Sequence, residues 1–279
     1  AAKKLIIGGS IAPRGVACFI AAQPDALGRD FSAFLKTQRK LAERASLDAS
    51  YPALVTRLKA PPPARKQERV PEGMVEIPGG PVTLRMEMRE RECGFYDASP
   101  AGGPRFADVY NFRTRTFERA AVLPRFAMDL TPVTNAQFAA FLQAAKYRPE
   151  HPENFLKHWT NHAPPSGQEE HPVVYVDLED ARAYARWAGK RLPTEEEWQY
   201  AAQGPAALKY PWGNDMSAGR CNGGETGGTT PARQFPNGRS PFGVYDLCGN
   251  VWEWTESERT DGRTRFCLLK GGSFYTAKG

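Results

Sequence analysis

Pro236-Asn-Gly-Arg-Ser-Pro-Phe-Gly-Val-Tyr-Asp-Leu-Cys-Gly-Asn-Val-Trp-Glu-Trp254, followed downstream by Lys270-Gly-Gly-Ser273, decides how the rest of this chain is read. Turn residues interrupt the stretch every few positions, so neither the alternation of a strand nor the repeat of a helix runs through it. Two tryptophans nevertheless bracket a single acid, Glu253. Aromatic residues set between turns mark a long loop packed onto a core. Backbone in such a loop needs non-repetitive hydrogen-bond partners or a bound ion.

Working upstream, residues 205–243 are rich in Gly, Pro, Asn and Thr and carry aromatics at turns, as in Tyr210-Pro-Trp-Gly213 and Phe235-Pro-Asn-Gly238. Before them the pattern becomes periodic and predicts three helices. Thr134 with Gln137 forms a capping box ahead of the apolar stripe Phe138, Phe141, Leu142 and Ala145. Asp177 caps a second helix carrying Ala181, Tyr184, Ala185 and Ala188, ended by Gly189. Thr194 with Glu197 starts a third, with Trp198, Ala201 and Ala202 inside and Gly204 as its stop. Met74-Val-Glu-Ile-Pro-Gly-Gly80 is an alternating strand closed by a turn.

Three segments follow from this reading. Residues 72–279 form the main domain. Residues 60–71, Ala-Pro-Pro-Pro-Ala-Arg-Lys-Gln-Glu-Arg-Val-Pro, are an extended and solvated linker. Residues 1–59 are a small α/β segment or the tail of an upstream module: Leu5-Ile-Ile and Val16-Ala-Cys-Phe-Ile-Ala have strand length, and Asp30 is placed to cap a helix bearing Phe31, Phe34, Leu35 and Leu41.

The 279 residues are 41% hydrophobic and 24% charged, as in an ordinary globular protein, and no apolar run approaches bilayer length. The two lysines before Leu5-Ile-Ile precede too short an apolar run for a signal peptide, and the compartment is not written in the sequence. A net charge of +6 raises the question of a polyanionic partner, but the basic residues of Arg85-Met-Glu-Met-Arg-Glu-Arg-Glu92 and Arg113-Thr-Arg-Thr-Phe-Glu-Arg119 are mixed with acids or thinly spread. They read as solvated surface rather than a nucleic-acid face. Five cysteines, with no CxxC among them, exclude a zinc ribbon or a thioredoxin-like site. His158 and His162 have helical metal-ligand spacing, but Trp159-Thr-Asn161 between them lacks the zincin glutamate and Pro164-Pro165 cuts the helix short. They read as loop histidines. Cys248 reads as a small buried hydrophobe.

Several blocks stand in one order: Met74-Val-Glu-Ile-Pro-Gly-Gly80, Thr131-Pro-Val-Thr-Asn-Ala-Gln-Phe138, His171-Pro-Val-Val-Tyr-Val176, Arg191-Leu-Pro-Thr-Glu-Glu-Glu-Trp198, Tyr210-Pro-Trp-Gly213, Gly249-Asn-Val-Trp-Glu-Trp254 and Gly271-Gly-Ser273. Together they resemble the formylglycine-generating enzyme (sulfatase-modifying factor) family over residues 72–279. The resemblance implies an irregular α+β domain, related to C-type lectins, with little regular secondary structure and with bound calcium. One family calcium site maps onto Asp246, Gly249, Val251 and Glu253, two carboxylates and two carbonyls that suit a hard cation. Read without the family, Glu253 pairs with a buried arginine and Asp246 caps a turn. A second family site maps onto Asn222 and Gly223, but the aspartate expected near the next position is Gly224, with Glu225 beside it.

The resemblance also implies copper held by two cysteines, the first at position 276. Thr276 stands there, and a hydroxyl does not replace a thiolate as ligand for Cu(I). The family pattern further implies a closing strand beyond Gly279. Relatives that use histidine-bound iron on an added helical domain have no counterpart in residues 1–70, which contain no histidine. Two classes of function follow: a calcium-braced module that binds a protein, peptide or small-molecule ligand in its groove without formylglycine-generating activity, and an oxidoreductase of protein or peptide side chains whose catalytic groups lie beyond Gly279.

Overall fold

The computed structural model describes residues 30–43, 56–63, 65–89, 114–161 and 163–275. The two short apolar runs before residue 22, Cys18, Cys93, His162 and Thr276 lie outside the described residues. The chain divides into two compact units, Ala1–Val55 and Thr56–Gly279. In the first, helix α1 (Phe31–Glu43) follows Asp30, whose carbonyl accepts from the Phe34 amide at 2.9 Å. Phe31 and Phe34 stack along one side of that helix.

The second unit starts before the prolines rather than after them. Strand β1 (Arg57–Leu58) pairs antiparallel with β6 (Glu253–Thr260), which in turn pairs with β7 (Arg265–Lys270). The proline stretch thus leaves from one sheet and returns to another, β2 (Met74–Ile77) with β5 (Phe126–Asp129). A third antiparallel pair joins β3 (Gly80–Arg89) to β4 (Thr114–Leu123), in register from Gly80 opposite Leu123 to Arg89 opposite Thr114. The Pro78-Gly79 turn separates β2 from β3; a Cβ at Gly79 would lie 2.4 Å from the Arg125 amide nitrogen, so only glycine lets the β4–β5 turn close over it.

All three helices expected of the main domain form, each with a complete capping box. They are α2 (Asn135–Ala145) behind Thr134, α3 (Leu178–Trp187) behind Asp177, and α4 (Glu195–Gln203) behind Thr194. The box at α3 closes through Asp180, whose side chain accepts from the Asp177 amide at 2.8 Å. Helix α4 also covers the outer edge of β3. The buried Gln203 amide accepts from Arg85 N at 3.1 Å and donates to Thr83 O at 2.6 Å, replacing a neighbouring strand.

Two cores result. One gathers Ile77, Leu84 and Leu123 of the strands with Trp198, Tyr200 and Ala201 of α4 and with Val244 and Leu247 of the long loop. The other is aromatic: Phe138 and Phe141 of α2 pack on Tyr184 of α3, with centroids 5.7 Å apart for either ring. No described helix is long and apolar enough to cross a membrane.

Candidate functional site

The two signature stretches fold against each other. Gly249 N donates to Gly271 O at 2.8 Å, and Phe274 N donates to Asn250 O at 2.9 Å. Gly249 has φ 79°, and a Cβ there would fall 2.4 Å from the Asn222 carbonyl oxygen, so the turn needs glycine on both grounds. Asn250 is fully buried with φ 61° and holds the turn to the loop before it. Its Oδ1 accepts from Thr230 N at 2.9 Å and from Asn222 Nδ2 at 3.3 Å, while its Nδ2 donates to Thr230 O at 3.1 Å. The sequence reading passed over Asn250; the signal was a Gly-Asn pair, since asparagine tolerates the left-handed region that such turns require.

This scaffold sets Asp246 and Glu253 near one another. Glu253 Oε2 accepts from the indole Nε1 of buried Trp198 at 2.7 Å. Its other oxygen, Oε1, is buried and has no partner among the described residues. Asp246 is 8% exposed, and its Oδ2 accepts from Arg233 N at 3.3 Å. Burial pushes the Glu253 carboxyl up to about 8, against the Trp198 hydrogen bond and with the Asp246 charge adding to it. Burial also raises Asp246 above its ordinary range. The Val251 carbonyl faces Gly271, where a Cβ would stand 3.6 Å from its oxygen.

Glu253 therefore does not take the arginine that was open as its partner. The buried guanidiniums belong elsewhere: Arg191 donates to both oxygens of Glu197 at 2.7 Å, and Arg182 serves Glu256 and Glu258. A buried carboxylate oxygen without a donor, beside a second buried carboxylate, is a donor set for a hard cation. The chemistry of Asp246, Gly249, Val251 and Glu253 fits calcium in this respect. Among the described residues no group of three or more His, Cys, Asp and Glu gathers, so any ion here relies on carbonyl oxygens and water as well.

Asn222 is placed otherwise. Its Oδ1 accepts from Thr226 Oγ1 at 2.9 Å and from Gly224 N at 3.4 Å, and its Nδ2 donates to Gly228 O at 2.8 Å. Gly223 N donates to Glu225 Oε2 at 3.0 Å. The Asn222 side chain organises its own loop, so no free oxygen of that amide is available to a second ion. His158 packs against Tyr175, with centroids 5.2 Å apart, and its buried Nδ1 has no partner among the described residues.

Next to the clamp lies a cavity of about 1350 Å³. Its walls come from residues 65–71, from β5, from residues 173–176, and from Trp252, Ser273 and Phe274. The proline stretch read as a linker is exposed, yet its second half runs along this cavity. Trp252 is 57% exposed beside the opening.

The family described as "Sulfatase-modifying factor enzyme 1-like domain" matches residues 59–279, most of the chain. The chain belongs to this sulfatase-modifying factor family. It is 35% identical to the inactive C-alpha-formylglycine-generating enzyme 2 of Bos taurus over 58% of this chain and 69% of that protein. It is also 35% identical to the formylglycine-generating enzyme of Thermomonospora curvata, over 76% of this chain and 86% of that one. Family members named active and inactive thus stand at the same identity, and similarity alone does not separate them. A serine/threonine-protein kinase, pkn1 of Chlamydia pneumoniae, is 39% identical over 48% of this chain but only 23% of its own length. Among solved structures, that of CarF aligns with TM-score 0.48 and 21% identity over 74% of this chain and 88% of that chain, a loose match.

Proposed function

We propose that this sulfatase-modifying factor domain is a calcium-braced module of C-type-lectin-related fold that binds a peptide or another ligand in its groove and does not generate formylglycine. The observation that carries the reading is Thr276, which stands where the family resemblance implies the first copper-binding cysteine. Copper(I) prefers soft sulfur ligands, and threonine offers a neutral hydroxyl. The cavity supports the binding half of the proposal. At about 1350 Å³ it exceeds the pocket of a typical small molecule, roughly 300–1000 Å³. Its exposed Trp252 offers an apolar contact, and charges of both signs in the lining, Arg65, Lys66 and Arg69 with Glu68 and Glu76, offer polar ones, as a peptide needs. The match to one part of a longer kinase chain supports the use of such a domain as an appended module.

The unpartnered Oε1 of Glu253 supports the calcium. A bound cation there would supply fixed charge to two buried carboxylates and rigidity to the turn; no reaction step is assigned to it.

A second reading, an oxidoreductase of protein or peptide side chains, is favoured by the match to 86% of the T. curvata enzyme. The deciding experiment incubates the full-length protein with Cu(I), oxygen and a cysteine-containing sulfatase-type peptide, and follows the peptide by mass spectrometry. The expected result is an unmodified peptide that still binds. Conversion of its cysteine to an aldehyde would overturn the binding-module reading.

A further inference from the structure

Cys221 and Cys248 are far apart in sequence and form no recognisable spacing, but the fold brings their backbones into contact. Asn250 N donates to Asn222 O at 2.9 Å, and Asn222 Nδ2 donates to Asn250 Oδ1 at 3.3 Å. The close approach of Gly249 to the Asn222 carbonyl holds the same two segments together between these bonds. One residue outward on each segment stands a cysteine, which brings the two thiols within interacting distance of each other. Both are free, Cys221 buried and Cys248 half-buried. Cys267, the third free cysteine among the described residues, lies on β7 opposite Glu258.

We infer that Cys221 and Cys248 are an oxidative modification site, a dithiol that hydrogen peroxide converts into an internal disulfide fastening the Cys221 loop to the turn that carries Asp246 and Gly249. Neighbouring thiols on segments pinned together one or two residues away need little backbone movement to meet the geometry of a disulfide. The sulfur of one thiol attacks one peroxide oxygen, the O–O bond breaks, and the departing hydroxide takes the thiol proton as water, leaving a sulfenic acid. The sulfur of the other thiol then attacks that sulfur. The S–O bond breaks, the hydroxyl leaves with the second thiol's proton as a second water, and the S–S bond forms. Two thiols and one peroxide give one disulfide and two waters; the two electrons lost by sulfur are gained by the peroxide. A peroxide is small enough to reach this site, where a bulky disulfide reagent is not favoured.

Tryptic mapping of the peroxide-treated native protein tests this without a variant, because each of the five cysteines falls in its own tryptic peptide. Cys221 lies in residues 221–233, Cys248 in 240–259 and Cys267 in 266–270. The expected result is an intact mass lower by two hydrogens, with 221–233 linked to 240–259 as the dominant product and the link removed by dithiothreitol. Cys267→Ser retains the link. In urea, where the backbone contact is gone, the same treatment scatters the products over other cysteine pairs. The proposal is overturned by native protein that gains oxygen without losing two hydrogens, by links that run to Cys267, Cys18 or Cys93 instead, or by a pattern identical in the folded and unfolded chain.

Discussion

One strand carries two opposite solutions to the problem of a buried acid. At its start Glu253 receives a single neutral hydrogen bond from Trp198, keeps an oxygen without a partner, and has its carboxyl pushed up to about 8. A few residues on, Glu256 and Glu258 are buried more fully by exposure but are surrounded by cations. Arg182 bridges both, at 2.7 Å and 3.2 Å, and Arg265 Nε donates to Glu258 at 2.7 Å. Glu179 closes the network by accepting from Arg182 and Arg265 at 2.9 Å and 3.0 Å. There Arg265 above all draws the Glu258 carboxyl down to about 2. The fold thus supplies countercharge at one end of β6 and withholds it at the other.

The largest expected effect comes from making the compensated end resemble the uncompensated one. Arg182→Ala leaves Glu256 and Glu258 buried without their shared guanidinium, and removing one partner of such a network costs about 3–5 kcal/mol. Urea unfolding measures it. A loss below about 1 kcal/mol would mean that the network is hydrated in solution and that the contrast with Glu253 is overstated.

Next in size is the effect of the ion itself. If Glu253 and Asp246 hold calcium, calcium at one hundred times its dissociation constant should stabilise the protein by about 2.7 kcal/mol, read as a fall in Tm on adding EDTA. Glu253→Gln keeps an acceptor for the Trp198 indole but removes the charge, so its Tm should no longer respond to EDTA. An equal response in wild type and variant would place any stabilising ion elsewhere. An absent response in wild type would remove calcium from the domain.

How much of this was legible in the chain follows from the range of the interactions. The helices behind Thr134, Asp177 and Thr194 were readable because each cap lies three residues from its partner. The family was readable because its turn motifs are local and occur in a fixed order. The partner of Glu253 was not, since Trp198 is 55 positions away and a sequence containing both arginines and carbonyls allows either solution. Asn250 and the pairing of Cys221 with Cys248 were missed for the same reason: the 204–252 region is held by contacts between its turns, and contacts of that kind leave no period. The linker reading of residues 60–71 was right about composition, which predicts exposure, but composition does not reveal that β1 precedes the prolines and pairs with β6.

The smallest effect is the acid limb of stability. Glu258 has a folded-state pKa of about 2, below its unfolded value near 4.5, so between these values the unfolded chain binds more protons than the folded one. Stability from this group is therefore fully present above about pH 4.5 and is lost as the pH falls toward 2. The shift alone would suggest more, but Arg265 and Lys59, which help to cause it, have side chains 52% and 58% exposed, and solvent screening reduces the contribution to about 1 kcal/mol. Comparison of urea unfolding at pH 6 and pH 3 should show wild type losing about 0.6 kcal/mol more than Glu258→Gln, whose side chain does not titrate. Because Arg182 and Arg265 act on Glu258 and not on Glu253, Glu253→Gln should leave this acid limb intact. Equal slopes in wild type and Glu258→Gln would place the acid sensitivity in other carboxylates and weaken the contrast between the two ends of β6.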